Sequence, residues 1–328
     1  SGTAALNVAV ASLDLPKGSE VITTPFTFVA SSNSIVRNSL TPVFADIKKD
    51  TFNLDPSEVR KKITDRTRAI MFVDFAGQPC DISELKEIAE ENDLILIEDA
   101  AHALGAEYNN KRIGSIADLT TFSFHPAKHI TCGEGGMITT QSTELFEKMA
   151  LLNNHGIDKN AMNRSGAGKF WEYDMKRLGN NYRITDFQAA LGISQLKKID
   201  HFLQVRQDIS KRYDTALKDI KHIETPFVKK NILHARHLYT ILLDDSIDRN
   251  LFFRMMRSKN IGVNVHYKPV YRHSYYTDNF AFDPEKFPVA ENVFNRIITL
   301  PLFVGLSDED FNYVIDSIKS TLAELIRR

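Results

Sequence analysis

Six short apolar runs punctuate the first 140 residues, and the segments between them decide what the chain can fold into. The runs are "EVITTPFTFVA", "TPVFADI", "AIMFVDF", "LILIEDA", "LTTFSFH" and "GGMITT". Between the third and fourth lies "DISELKEIAEEND", with Ile82, Leu85 and Ala89 at helical spacing. Continuous apolar strands separated by amphipathic helices are the pattern of a mostly parallel sheet covered on both faces. Roughly the first 200 residues therefore read as one α/β domain. At Thr185 a capping box, Thr-x-x-Gln ending at Gln188, opens a long helical stretch whose Leu196, Ile199 and Leu203 keep one apolar stripe leaving that domain. Beyond it come the apolar run "HLYTILLDD", a helix near "NLFFRMMRSKN", a strand at "IGVNVHY" and a last helix carrying Phe311, Ile315, Ile318, Leu322 and Leu325. The expected division is a large α/β domain over 1–212 and a smaller C-terminal α+β domain over 213–328.

With 328 residues, 43% of them hydrophobic, the chain can bury a large core. Its 41 basic and 42 acidic side chains leave a net charge of −1, so no strong field invites a nucleic acid backbone or an anionic membrane surface. No run approaches the roughly 18 consecutive apolar residues of a membrane span, and no leader is visible, so the expected home is the cytoplasm. Cys80 and Cys132 are the only cysteines, read as two unpaired thiols. The abrupt start "SGTAALNVAV" reads as a helix from Thr3 to Leu13, with Leu6, Val10 and Leu13 on one face. It suggests a chain whose N-terminal segment has been lost.

Open parallel sheets bind ligands at the carboxyl ends of their strands, and two such ends carry unusual chemistry. "LILIEDAAHALGA" ends its strand in Glu98 and Asp99; a carboxylate there meets a cation or a ring nitrogen, or simply caps a helix over the following Ala-Ala-His. "TFSFHPAKHITCGEGG" presents Lys128 between a proline and three glycines. A lysine confined beside a sheet, where desolvation favours the neutral amine, suits Schiff-base chemistry with a carbonyl; the alternative is a solvated loop lysine. Pyridoxal phosphate needs such a lysine, a carboxylate for its ring nitrogen and a phosphate cup. Gly2 and Thr3 open a helix whose positive end attracts phosphate, and Ser123 can add a hydroxyl. Phe28 follows another strand and either stacks on the cofactor ring or packs in the core.

Rival motifs are weak. There is no G-x-G-x-x-G opening a helix after a strand and no Walker lysine motif. Ser123, His125 and Asp99 could be drawn as a hydrolase triad, but no G-x-S-x-G elbow frames the serine. His102, His125 and His129 match no standard zinc spacing, and no metal is expected.

Taken together, "SGTAAL", "TPFTFVAS", "PVFADI", "EDAAHALGA", "FSFHPAKHITCGEGG", "NNHGI", "LGNNYRITDFQAALG", "HYKPVY" and "LPL" resemble the DegT/DnrJ/StrS family of sugar aminotransferases from Ser1 to the last helix. The wording of "VDFAGQPCDI", "HALGAEYNNKRIG" and "HYKPVYRHSYY" is most similar to its PseC-type branch, the transaminases of the pseudaminic acid pathway. The resemblance implies an aspartate-aminotransferase-like fold (fold type I), in which a large, mostly parallel α/β domain binds pyridoxal 5'-phosphate and a smaller α+β domain follows. Cys132 stands where many relatives have threonine, a change conservative in volume.

The resemblance also implies roles. Lys128 matches the lysine that takes the cofactor's aldehyde, Asp99 the partner of the pyridine nitrogen, and His102 the residue near the phenolic oxygen. Gly2, Thr3 and Ser123 match the phosphate cup, and Phe28 the stacking aromatic. Asn181 matches an asparagine that reaches the phosphate from the other subunit of a homodimer. Arg183, His266 and Tyr267 are expected to face the substrate. Family members that dehydrate instead of transaminating carry histidine in place of Lys128, so the lysine implies amino transfer. The implied reaction moves an amino group from L-glutamate to C4 of a nucleotide-linked 4-keto-6-deoxy sugar, through pyridoxamine phosphate. Alternatives are a GDP-perosamine or UDP-bacillosamine type 4-aminotransferase, and, from another class, a non-catalytic regulator that binds the cofactor or a sugar nucleotide.

Overall fold

Along the third apolar run, alternate side chains leave for opposite sides, and two cores grow from that alternation. The computed structural model describes residues 1–158 and 173–327. Its first half is built on α1 (Gly2–Ala11), β1 (Glu20–Thr23), α2 (Ala30–Arg37), β2 (Thr41–Phe44), α3 (Pro56–Lys62), β3 (Thr67–Val73), α4 (Ile82–Glu91) and β4 (Ile95–Asp99). A hairpin of β5 (Glu107–Tyr108) and β6 (Lys111–Arg112) follows, then β7 (Leu119–Ser123), β8 (Gly136–Thr139) and α5 (Thr143–Asn153). The main sheet runs β2-β1-β3-β4-β7-β8, parallel except for the β7–β8 pair. Ala69 and Met71 of β3 join Ile97 and Leu119 in a core under α1, while Ile70 and Phe72 join Leu96 and the Ile82, Leu85 and Ile88 stripe of α4 on the other face. Period-two geometry thus covers both faces of the sheet, as the unbroken apolar runs require.

Side chains placed before the helices fix where they begin. Ser1 accepts the Ala4 N–H at 3.1 Å, and Asp55, followed by Pro56, accepts from Ser57 at 2.8 Å. Thr185 and Gln188 form the expected capping box at α6 (Asp186–Leu196). The long stretch predicted from there is broken: α6 ends at Leu196 and α7 (Ile199–Leu217) begins after two lysines, Lys198 leaving helical geometry at φ −107°, ψ 1°. The apolar stripe does not run through the break, because α6 buries none of its residues while α7 buries Leu203, Ile209, Tyr213 and Leu217. α1 is also shorter than predicted, ending at Ala11 with Leu13 buried just outside it.

After α7 come β9 (Ile223–Glu224), β10 (Ile232–Leu233), β11 (Tyr239–Leu243), α8 (Arg249–Ser258), α9 (Ser274–Asn279), α10 (Pro288–Arg296), β12 (Ile297–Leu300) and α11 (Asp308–Arg327). β12-β11-β9 form a small antiparallel sheet, and β10 reaches back to pair with β5. The strand predicted at "IGVNVHY" is only a single bridge between Asn264 and Thr299. The core of the smaller sheet joins its Tyr239, Ile241 and Ile298 to Phe252, Phe311, Ile315, Ile318 and Leu322.

Candidate active site

Val73, Asp99 and Ser123 end β3, β4 and β7, and all three open into one cavity of about 1220 Å³. Period two sends the neighbours Glu98 and Asp99 to opposite faces of the sheet. Asp99 faces the cavity, its Oδ2 accepting the Ser31 hydroxyl at 2.7 Å and its Oδ1 the Ala101 N–H at 3.2 Å. Burial pushes its carboxyl up, opposed by Ser31, the Ala101 N–H and the charge of Lys128. No helix follows Asp99, so its bond to Ala101 closes a turn and caps nothing longer. Glu98 points the other way, accepts the Thr120 hydroxyl at 2.7 Å and shares a hydrogen bond with Asp74. Burial pushes both of these carboxyls up, Glu98 to about 7, and the charge of Glu98 raises Asp74 further.

The start of α1 lies against the end of β7, and only glycine permits it. A Cβ on Gly2 would sit 2.7 Å from Ser123 Cβ and 2.9 Å from Ser123 Oγ, and one on Gly136 would sit 2.4 Å from the Ser1 carbonyl oxygen. The first turn of α1 therefore meets Ser123 at the cavity, where Ser1, Gly2, Thr3 and Ser123 all form wall. Unpaired N–H groups at a helix start beside a hydroxyl make an anion seat.

Lys128 follows a turn in which its N–H bonds the His125 carbonyl at 2.9 Å. Its amine has no hydrogen-bonded or ion-paired partner among the described residues, and it lines the same cavity as Asp99. Burial lowers its pKa to about 8, the Asp99 charge pulling it partly back up. His102 is buried, with Nε2 3.2 Å from the Tyr267 hydroxyl and Nδ1 without a partner. Burial, then the Lys128 charge, keeps it neutral. His266 bonds the Thr299 hydroxyl through Nδ1 at 2.9 Å and is lowered to about 4, chiefly by burial. Phe28 is 57% exposed at the rim, its ring centroid 6.3 Å from that of Tyr267, so it is not a core aromatic.

The structure thus brings Gly2, Thr3, Phe28, Asp99, His102, Ser123, Lys128, His266 and Tyr267 to one cavity. Asn181 and Arg183 lie elsewhere in the same chain. They line a second cavity of about 510 Å³, between α1, β8, α5 and α6, which shares Ser1 and Glu134 with the first. Arg183 is bonded there to the Asn154 side chain, and Asn181 bridges to the Asn154 backbone. In the wall of that second cavity large apolar side chains face water, Phe146 at 64% exposed and Met137 at 52%. Sequence reasoning missed three contributors to the first: Ser31, Arg206 and His237. The His237 ring is tilted against that of His102 with centroids 4.3 Å apart, and His129 lies 5.3 Å from His237. The pair His234 and His237 just before the buried "LYTILL" strand was the available signal. Among the described residues no three His, Cys, Asp or Glu side chains are grouped to hold a metal ion.

Residues 1–319 match the family model described as the DegT/DnrJ/EryC1/StrS aminotransferase family. The chain is 42% identical over 327 residues to the uncharacterised protein MJ1066 of Methanocaldococcus jannaschii, covering 99% of this chain and 85% of the relative. It is 40% identical to the spore coat polysaccharide biosynthesis protein SpsC of Bacillus subtilis, covering 97% and 83%. It is 36% identical to a UDP-4-amino-4,6-dideoxy-N-acetyl-beta-L-altrosamine transaminase of Campylobacter jejuni, covering 99% and 85%. Helicobacter pylori PseC, an aminotransferase of pseudoaminic acid biosynthesis, superposes with a TM-score of 0.92 at 34% identity, covering 99% and 85%. The PMP-form of the Streptococcus pneumoniae sugar aminotransferase Spr1654 gives 0.93 at 33% identity, covering 99% and 87%.

Proposed function

The chain belongs to the DegT/DnrJ/EryC1/StrS aminotransferase family, and from that premise we propose that it uses pyridoxal 5'-phosphate to move an amino group from L-glutamate to C4 of a UDP-linked 4-keto-6-deoxy sugar. The observation that carries the reading is the unpaired Lys128 amine facing Asp99 beside the Gly2–Ser123 cradle. The residues fit the cofactor: an amine lowered to about 8 for its aldehyde, a buried carboxylate for its ring nitrogen, and a helix start plus hydroxyl for its phosphate. Bound there, the group would supply the electron sink that amino exchange needs. Lys128 then takes a proton at Nζ from the donor's α-carbon and returns it on the other side of the exchange, its lowered basicity suiting both directions. Asp99, its oxygens already ordered by Ser31 and Ala101, holds a proton on a ring nitrogen by charge. His102, kept neutral, can bond an oxygen without adding positive charge beside Lys128. Phe28 at the rim offers a face for stacking, and His266, Tyr267 and Arg183 are the side chains proposed to meet the sugar nucleotide.

The pathway proposed is surface-glycan sugar synthesis of the pseudaminic acid type, in the cytoplasm, on the strength of the Campylobacter and Helicobacter relatives. No helix among the described residues is long and apolar enough to cross a membrane. We also propose that residues 1–212 carry the cofactor, residues 213–328 close on the substrate, and two chains pair across α6, whose apolar side chains have no cover in one chain. In such a pair Asn181 would serve the partner's phosphate seat. Assay of purified holoenzyme with L-glutamate against UDP- and GDP-linked 4-keto sugars, with products read by mass, tests the substrate. An amino sugar from a UDP-linked 4-keto substrate is expected; a holoenzyme that aminates none of the panel overturns the reading. Pairing is read by mixing Lys128→Ala with Asn181→Ala chains: a heterodimer regains one intact site if Asn181 acts across the interface, and none if it acts at home.

A further inference from the structure

Arg206, in the middle of α7, is 6% exposed and reaches the wall of the same cavity. A buried guanidinium requires an anion or a full set of acceptors. Arg206 has neither. One terminal nitrogen, Nη1, spreads its hydrogens over the carbonyls of Arg236 and His237, both at 3.3 Å, and Leu302 at 3.1 Å, all long bonds, and Nε has no partner at all. No carboxylate lies against it among the described residues. The other two arginines buried to this degree do have acids: Arg296 has Glu224 and Asp245, the latter at 3.4 Å, and Arg236, although its Nε and Nη1 make no hydrogen bond, has Asp214 at 3.8 Å. His129 and His237 beside it are held neutral, chiefly by burial and further by the charges of Arg206 and Lys128, and offer it no counter-charge. Burial alone brings Arg206 down to about 10.

We infer that Arg206 seats a carboxylate of the amino donor, completing the donor site from the wall that α7 contributes. This rests on the aminotransferase reading above. A guanidinium fork with free donors matches a carboxylate in shape and charge. The donor suits the position better than the nucleotide does. Arg206 bonds the His237 carbonyl, and the His237 ring packs at 4.3 Å against that of His102, which lines the cavity together with Lys128. The carboxylates of an amino acid lie only a few bonds from its reacting nitrogen, whereas the diphosphate of a nucleotide sugar is the end remote from the keto carbon.

The test is calorimetric titration of holoenzyme with glutarate, with its neutral isostere glutaramide and with UDP, for wild type, Arg206→Gln and Arg206→Lys. Glutarate should bind Arg206→Gln about 10- to 100-fold more weakly, the worth of one charge-assisted contact, with glutaramide and UDP unchanged and Arg206→Lys in between. Unchanged glutarate affinity overturns the inference, as does an equal loss for glutarate and glutaramide, which marks a structural arginine. Loss confined to UDP also overturns it and moves the anion to the diphosphate. If Arg206→Gln does not fold, Arg206→Lys, which keeps the charge and an N–H donor, carries the same comparison. Failure of the proposed reaction would appear separately, as wild-type holoenzyme that aminates no keto sugar.

Discussion

Lys128 and Lys229 are both drawn out of water, and they end in opposite states. Lys229 lies 2.5 Å from Asp81 Oδ1 while Lys48 holds Oδ2 at 2.8 Å, so one carboxylate is clamped by two cations. Burial is the largest single influence on Asp81 and pushes it up, but the two ammonium groups together bring its carboxyl below the ordinary range. At the cavity the accounts are reversed. Asp99 is committed to the Ser31 hydroxyl and the Ala101 N–H, so the nearby lysine feels its charge without being bonded to it. A paired lysine ties two segments together; an unpaired one, lowered by burial, is free to react.

Breaking each lysine separates the two states. Lys128→Ala should reduce multiple turnover by at least about 10³-fold while leaving the melting temperature near that of wild type, measured by coupled assay and calorimetry; near-normal turnover would remove Lys128 from the chemistry. Asp99→Asn should come next, with cofactor retained but turnover reduced about 100-fold or more, read in the same assay. It sharpens the comparison through pH. Capture of pyridoxal phosphate by apoenzyme needs the neutral amine, so its stopped-flow rate should rise with pH and level off near 8, the pKa that burial sets for Lys128. Because the Asp99 charge raises that pKa, Asp99→Asn should move the plateau to lower pH; a shift upward or none would mean that the two groups do not interact. Lys229→Ala should have the smallest effect, about 1 kcal/mol of stability in urea melts because Lys48 still holds Asp81, with the capture profile unchanged.

What the sequence made legible was local. Lys128, Pro126 and the glycines share one short segment, and Asp99 ends an apolar strand, so their placement at strand ends followed from the strand pattern. The capping box at Thr185 was legible for the same reason, being made within four residues. Contacts across long separations were not. Ser31 meets Asp99 from 68 positions away, and Arg206 meets Leu302 from 96. The bridge at Asn264 was overcalled as a strand because "IGVNVHY" has β-like side chains but only one backbone pairing. The break after Leu196 was hidden because apolar residues on α6 look like core in sequence, although in the single chain they are exposed.

The helix α7 has a mechanical consequence. Ile199 and Leu203 pack in a core of the large sheet, while Ile209, Tyr213 and Leu217 pack in the core of the smaller sheet. No glycine or proline interrupts it between Ile199 and Leu217, so nothing local allows a kink. The two cores are therefore phased by a rigid rod, like two gears on one axle, and not joined by a tether whose length could vary. One residue inserted near Gln204 would turn everything beyond it by about 100° about the rod, swinging Ile209 and Tyr213 out of their seats and carrying Arg206 off the cavity wall. The same insertion in the loop after Leu217 would leave the phase intact.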